Sequence, residues 1–573
     1  MNVRESIPAT KTSNQQMNGA EALVRMLQEH GVTHVFGLCG DTSLPFYDAL
    51  YRLNHGITHI LCRDERSAAY MADGYARVSG KVGVCEGPSG GGATYILPGL
   101  VEANESSIPV LGITTDVAVS SRGRYTLTEL DQRSLFRPLT KWNAVIDRAE
   151  DIPRTVRAAF THMTTGRPGA AHLAVPYDVQ IGPVNAEDVW ADRSLGQYPS
   201  RPVGPDPEAV RTVAAVIRRS RKPMFVVGGG IVIARAESQL AELAMKLGAL
   251  VATTISGQGS IADNHPLAVG VVGSNGGTVE TRELLGLADL VIFIGCRAGS
   301  VTTERWRYPS RSTKIVHIDL DPAVIGANYK TDVGVVGDAR LVLDSLLSCL
   351  ADEKRSSDAA AKTVARAKAK KFERFQKLAS SDEFPILPER VVAALQATLP
   401  PDAVVVADPG TPCPYLSAYL CSERTGRTFI SNRAHGALGY SLSAAVGAHF
   451  GRPGAKCVSV MGDGSFGFTA GELETVARLK LPITFIVFNN SVYGWIKAGQ
   501  KVGFDRRYFS VDFSQTDHAR VGEAFGLKCW KVRDPSELKG ALAAAFAHDG
   551  PTLVDIISQS LHDAQAPVSE WVA

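Results

Sequence analysis

Short β-rich runs alternate with amphipathic helical stretches from one end of the chain to the other, and this restricts it to folds built on parallel sheets covered by helices. The strand candidates fall into three blocks: 34–38, 58–62, 82–85, 110–114 and 171–175; then 224–228, 250–254, 290–295, 315–319 and 333–336; then 404–407, 429–431, 458–461, 483–488 and 553–557. Three domains also fit a chain of 573 residues at about 150 residues per domain. The reading is a disordered tail over 1–17, a first domain over 18–185 and a Pro-rich, charged linker over 186–207. A central domain follows over 208–350, and a third domain over 386–573. The Ala-, Lys- and Arg-rich stretch 351–385 between them reads as a solvated helical linker with no core of its own.

Composition narrows the function classes. A formal net charge of +2 gives no case for nucleic acid or an anionic membrane surface. No apolar run approaches the ~20 residues of a spanning helix. The N-terminal stretch is polar and lacks a hydrophobic signal core. Nine cysteines form no C-x-x-C pair and are odd in number, which fits reduced thiols in a cytoplasmic enzyme better than a disulfide frame or a zinc site.

The chemistry concentrates at Gly462-Asp463-Gly464-Ser465 and at Asn489-Asn490, each ending an apolar run. Two strands of one sheet would deliver an acid and an amide to the same carboxyl edge, where open α/β sheets bind ligands. A crossover helix over 469–479 fits between them. A carboxylate, an amide oxygen and backbone groups suit Mg²⁺, which completes its octahedron with phosphates and water. Gly462 to Gly467 also satisfies G-x-G-x-x-G, the dinucleotide fingerprint. An Asp inside that loop would repel a pyrophosphate unless a cation lay between them. The implied ligand is therefore a diphosphate carried by a metal.

A second candidate lies at Arg63-Asp64-Glu65, where a strand hands over to a helix rich in small residues. Small residues permit close approach to another surface. A carboxylate at such a junction is either desolvated, with its proton made available, or a helix N-terminal acid serving the dipole.

Taken together, these segments resemble the thiamin-diphosphate-dependent enzymes of the acetolactate synthase, pyruvate oxidase and 2-oxoacid decarboxylase group, and most of all acetolactate synthase large-subunit-like proteins. Residues 31–37 are similar to that family's opening strand, and 63–65 with 71–77 to its glutamate segment. Residues 89–94 look like its S-G-P-G-A-T loop and 137–141 like its R-P-x-T-K, while the GDG…NN pair resembles its cofactor signature. The resemblance implies three α/β domains: pyrimidine-binding, central nucleotide-binding-like and diphosphate-binding. It implies that Glu65 bonds the aminopyrimidine and relays protons through it. Asp463, Asn490 and the Val492 carbonyl would hold Mg²⁺. Gly410, Thr411, Gly464 and Ser465 would hold the diphosphate, with Tyr493 beside them, and Leu438 would be the apolar wedge beneath the rings.

The implied reaction is decarboxylation of a 2-oxo acid followed by ligation of the remaining fragment to a second carbonyl compound. The alternatives are a non-ligating decarboxylase that releases aldehyde, a noncatalytic nucleotide-binding regulatory homologue and, weakest, a Rossmann oxidoreductase. Asp41 resembles the decarboxylase loop, yet the paired histidines of those enzymes do not occur between Val110 and Leu139. Thr128, His435 and Trp495 are the other substrate-pocket candidates. In relatives the central domain holds FAD, ADP or nothing. Its candidate nucleotide loops here are 273–277, 295–300 and 318–322. The family pairs Glu65 with Asp463 across subunits, implying a homodimer or homotetramer.

Overall fold

The computed structural model describes residues 16–571. Three six-stranded sheets dominate them, and every pairing within these sheets is parallel. In the first, the spatial order is Thr58–Leu61, His34–Gly37, Gly83–Gly87, Val110–Asp116, Ala171–Pro176, Trp142–Val145. In the central sheet it is Ala268–Val271, Leu250–Thr253, Pro223–Val227, Leu290–Ile294, Lys314–Asp319, Val333–Val336. The third runs Phe429–Ser431, Val404–Ala407, Cys457–Gly462, Thr484–Asn489, Thr552–Ile557, Lys528–Val532. In each sheet the chain reverses its direction of travel between two neighbouring strands, and the crevice at their carboxyl ends is where such folds bind ligands. Those pairs are His34–Gly37 with Gly83–Gly87, Pro223–Val227 with Leu290–Ile294, and Val404–Ala407 with Cys457–Gly462.

The first and third domains share one core, in which Phe36, Tyr70 and Ile96 meet Tyr440, Leu442 and Phe485. Its spine is the helix Glu65–Ser79 against the helix Tyr440–Gly451. A Cβ on Gly74 would stand 2.2 Å from the Ala444 carbonyl oxygen, and one on Gly447 1.8 Å from that of Met71. The small residues of the first helix thus serve the close approach their sequence implied.

Several expectations need correction. The helix Asp358–Ala379 is not without a core: Phe375 and Ala379 are buried in a cluster with Leu416, and the Phe375 ring stacks on Tyr419. A short strand that no apolar run announced, Pro183–Asn185, closes the first domain by pairing antiparallel with Gln16–Asn18. All but the last two residues of the expected tail lie outside the described residues. The crossover after Cys457–Gly462 begins at once, as the helix Asp463–Thr469, and continues as Leu473–Arg478. No helix among the described residues is long and apolar enough to cross a membrane.

Candidate active site

Asp463 is the first residue of its helix and is buried. One carboxylate oxygen accepts from the Gly464 N–H at 2.8 Å, and the other accepts from the N–H groups of Asn490 at 2.7 Å and Ser491 at 2.5 Å. Burial pushes its carboxyl above the ordinary range, and these three bonds oppose the shift. Beside it, the Asn490 side chain is buried with neither its oxygen nor its nitrogen hydrogen-bonded. An unsatisfied buried amide is costly, and a cation on its oxygen would remove half of that cost. Ser491 turns the chain with φ +57°, and Val492 and Tyr493 follow, Val492 bridging to Asp512. The Val492 carbonyl accepts from Gly494 N–H at 2.8 Å and keeps a lone pair free. Asn489 plays another part. Its amide donates to the Thr516 carbonyl and to Asp555, which fixes the strand end that presents Asn490.

The diphosphate candidates straddle the switch point of the third sheet. Gly410 and Thr411 follow one strand, and Gly464 and Ser465 follow its neighbour. The Tyr493 ring covers Gly464 so closely that a Cβ there would stand 2.7 Å from it. Between the two loops Asp408, which sequence reasoning missed, is fully buried. It accepts from the Tyr440 N–H at 2.9 Å and the Ser441 hydroxyl at 3.0 Å. That ties the loop carrying half-buried Leu438 to the loop carrying Gly410. Burial pushes Asp408 up to about 7, against its hydrogen bonds.

Glu65 opens its helix and is buried, so both readings of it hold at once. Burial raises its carboxyl above the ordinary range, with Asp64 adding to the effect. Its Oε1 lies 3.0 Å from where a Cβ on Gly92 would be, so the glycine loop is its wall. Thr128 belongs to the same group: its Cβ stands 2.8 Å from where a Cβ on Gly90 would be. Asp41 is exposed and accepts from the Thr42 N–H at 2.8 Å, so this chain alone does not give it the burial a proton donor there needs. His435 is exposed, and its N–H donates to buried Glu102 at 2.7 Å. Trp495 lies against Trp571, ring centroids 5.2 Å apart, both half-buried against the core beneath the third sheet.

The central sheet carries a cleft of about 430 Å³ at its switch point, lined by Gly228, Gly295, Ala298, Asp319, Arg297 and Arg427 among others. A Cβ on Gly228 would stand 2.1 Å from the Gly295 carbonyl oxygen, so the two turns close on each other as a cradle. Two of the three expected nucleotide loops line it. The third, 273–277, instead pairs through its main chain with residues 567–569.

Three family descriptions match the chain in order: thiamine pyrophosphate enzyme, N-terminal TPP binding domain over residues 17–135, central domain over 210–346 and C-terminal TPP binding domain over 408–556. A probable acetolactate synthase large subunit of Methanocaldococcus jannaschii is 35% identical over 551 residues, covering 94% of this chain and 92% of the relative. The corresponding protein of Methanococcus aeolicus is 34% identical, with 94% and 92% covered. An acetolactate synthase of Arthrospira platensis is 32% identical, with 95% of each chain covered. A buried acid in a glycine cradle, a gathered carboxylate beside an unsatisfied amide and full-length similarity lead to one conclusion: the chain belongs to the thiamine pyrophosphate enzyme family and is an acetolactate-synthase-like, thiamin-diphosphate-dependent enzyme.

Proposed function

We propose that the enzyme, with thiamin diphosphate and Mg²⁺, removes carbon dioxide from a 2-oxo acid and joins the remaining fragment to a second carbonyl compound. The observation that carries this reading is the Asp463–Asn490 pair: a carboxylate held by three main-chain N–H groups, beside a buried amide with no hydrogen-bond partner. Asp463, Asn490 and the Val492 carbonyl are the Mg²⁺ ligands, few and oxygen-bearing as that ion prefers. Gly410, Thr411, Gly464 and Ser465 receive the diphosphate, and Tyr493 closes over it. When bound, thiamin diphosphate supplies the electron sink for the bond that breaks. Glu65 holds a proton at the pyrimidine nitrogen, which its raised affinity for a proton allows. Leu438, half-buried, would pack beneath the cofactor's rings. Asp41, Thr128 and His435 line the substrate side, and Trp495 braces the helix behind it. The nine free cysteines suit a reducing, cytoplasmic setting.

The central cleft is proposed to hold the adenine nucleotide portion common to FAD and ADP, its phosphates against the glycine turns. Mass spectrometry of the ligand released on denaturation tells the two apart, and an empty protein refutes the assignment. The main test is reconstitution. Chelation and dialysis should abolish activity, and only thiamin diphosphate and Mg²⁺ together should restore it. Full activity without thiamin diphosphate would refute the reading. A product screen with several 2-oxo acids, with and without aldehydes, should give more coupled product than free aldehyde. Aldehyde alone across a broad acceptor panel makes the enzyme a simple decarboxylase.

A further inference from the structure

We propose that Glu86 supplies the proton consumed in each turnover, passing it to the reacting centre along a string of side-chain hydroxyls and recovering it from solvent through Tyr47 and His59. The proposal rests on the function proposed above and adds residues to that same site.

Glu86 is fully buried near the end of the strand Gly83–Gly87, at the switch point of the first sheet. It accepts from the Ser43 hydroxyl at 2.6 Å on Oε1 and from the Tyr47 hydroxyl at 2.8 Å on Oε2. From Ser43 the string continues to Thr115 at 3.3 Å, Thr42 at 2.7 Å, Ser89 at 3.1 Å and Thr128 at 2.7 Å. In these four contacts either oxygen can donate, as a proton relay requires. Thr128 is half-buried on the loop that walls Gly90, two residues from the Gly92 that faces Glu65. Its hydroxyl now donates to the Leu127 carbonyl at 2.5 Å and must turn to serve the site. On the other side, the Tyr47 hydroxyl lies 3.0 Å from His59 Nε2 on a half-exposed histidine. The string thus runs from one surface, through a buried acid, to the substrate loops.

The groups facing Glu86 are the Ser43 and Tyr47 hydroxyls, the Cys39 and Cys85 thiols and the Glu65 carboxyl, with no cation among those acting on it. Burial pushes Glu86 up to about 8, against its two hydrogen bonds and with the Glu65 charge adding to the shift. Carrying its proton, Glu86 donates to the Ser43 hydroxyl in place of accepting from it, and the bond returns to the direction seen here once the proton has passed. His59, held down to about 4 by burial, is neutral and can pass a proton without keeping it.

Charge balance sets the demand. When a 2-oxo acid anion loses carbon dioxide, one proton is taken up, whether the fragment leaves as aldehyde or is joined to a second 2-oxo acid. In the relay Thr128 gives its hydroxyl proton to the reacting atom and takes one from Ser89. Ser89 takes one from Thr42, Thr42 from Thr115, Thr115 from Ser43 and Ser43 from Glu86. Glu86 is left ionised, recovers a proton from the Tyr47 hydroxyl, and Tyr47 recovers its own through His59. No atom is gained or lost, and no oxidant is needed.

The test has a substrate-free arm and a turnover arm. Infrared pH titration of the wild-type protein should show a protonated carboxyl that ionises near pH 8 and is missing in Glu86→Gln. A wild-type protein without that band overturns the proposal, whatever its activity. In turnover, wild-type kcat should fall as pH rises through about 8. Glu86→Gln should lower kcat at neutral pH about tenfold or more and abolish that limb. Its Kd for thiamin diphosphate, followed by circular dichroism, should stay within about twofold of wild type. Thr115→Val should keep the infrared band yet lose kcat similarly, and Thr115→Ser should restore it. Wild-type kcat and an unchanged limb in Glu86→Gln, or full kcat in Thr115→Val, would overturn the relay. A wild-type protein that turns over no 2-oxo acid fails at the product screen, before any variant is compared.

Discussion

Among single residues, the buried acids make the most exacting predictions. Glu86 holds its proton up to about pH 8 in the folded chain, whereas the unfolded chain releases it in the ordinary carboxyl range. Between those limits the folded state binds more protons, so stability falls as pH rises through the window. The loss attributable to this residue is at most roughly 5 kcal/mol. Glu86→Gln should therefore flatten the decline in melting temperature between pH 5 and pH 8, which calorimetry at several pH values would measure. An unchanged decline would show that other groups set it. Asp463, Asn490 and Glu65 were legible in the sequence because each sits at a strand end or helix start within a compact motif. Glu86 was not, because its partners Ser43, Tyr47 and the hydroxyl string come from separate segments that meet only when the sheet forms. What the sequence left blank is the work of the neighbouring asparagine: Asn489 is spent on Thr516 and Asp555.

Among elements, the contact between Glu65–Ser79 and Tyr440–Gly451 joins cofactor chemistry to stability. Backbone meets backbone there, so an added methyl group has nowhere to go. Gly447→Ala should destabilise the protein by about 3 kcal/mol, near the upper end for overpacking, as read by urea unfolding. Activity should fall with it, because Glu65 opens the helix against which Gly447 packs. Strands inside the sheets were legible as apolar runs. Three edge strands were missed: Trp142–Val145 and Lys528–Val532 are only partly buried and mix polar with apolar side chains, and Ala268–Val271 is a four-residue run broken by a glycine. The helix Asp358–Ala379 misled for the opposite reason. Most of its surface is wet, and the few residues that pack, Phe375 and Ala379 among them, are too sparse to stand out against Ala and Lys.

For the whole molecule, one buried core spans the first and third domains, and another packs Ile255 and Val271 of the central domain against Val405 and Leu416 of the third. Tyr125, Leu127, Tyr51 and Phe509 are all more than four-fifths exposed in the single chain, which suits a second copy against them. We expect at least a homodimer with Glu65 of one chain serving Asp463 of the other. Mixing inactive Glu65→Gln and Asp463→Ala chains should restore up to about one quarter of wild-type activity, since random pairing makes half the dimers mixed and each holds one intact site of two. No recovery after verified exchange would place each site within one chain. The Trp495–Trp571 contact has a practical consequence as well. Trp495 is three residues beyond Val492, so the pair is a built-in optical gauge: emission that shifts when Mg²⁺ is titrated would report strain reaching that helix without any attached dye.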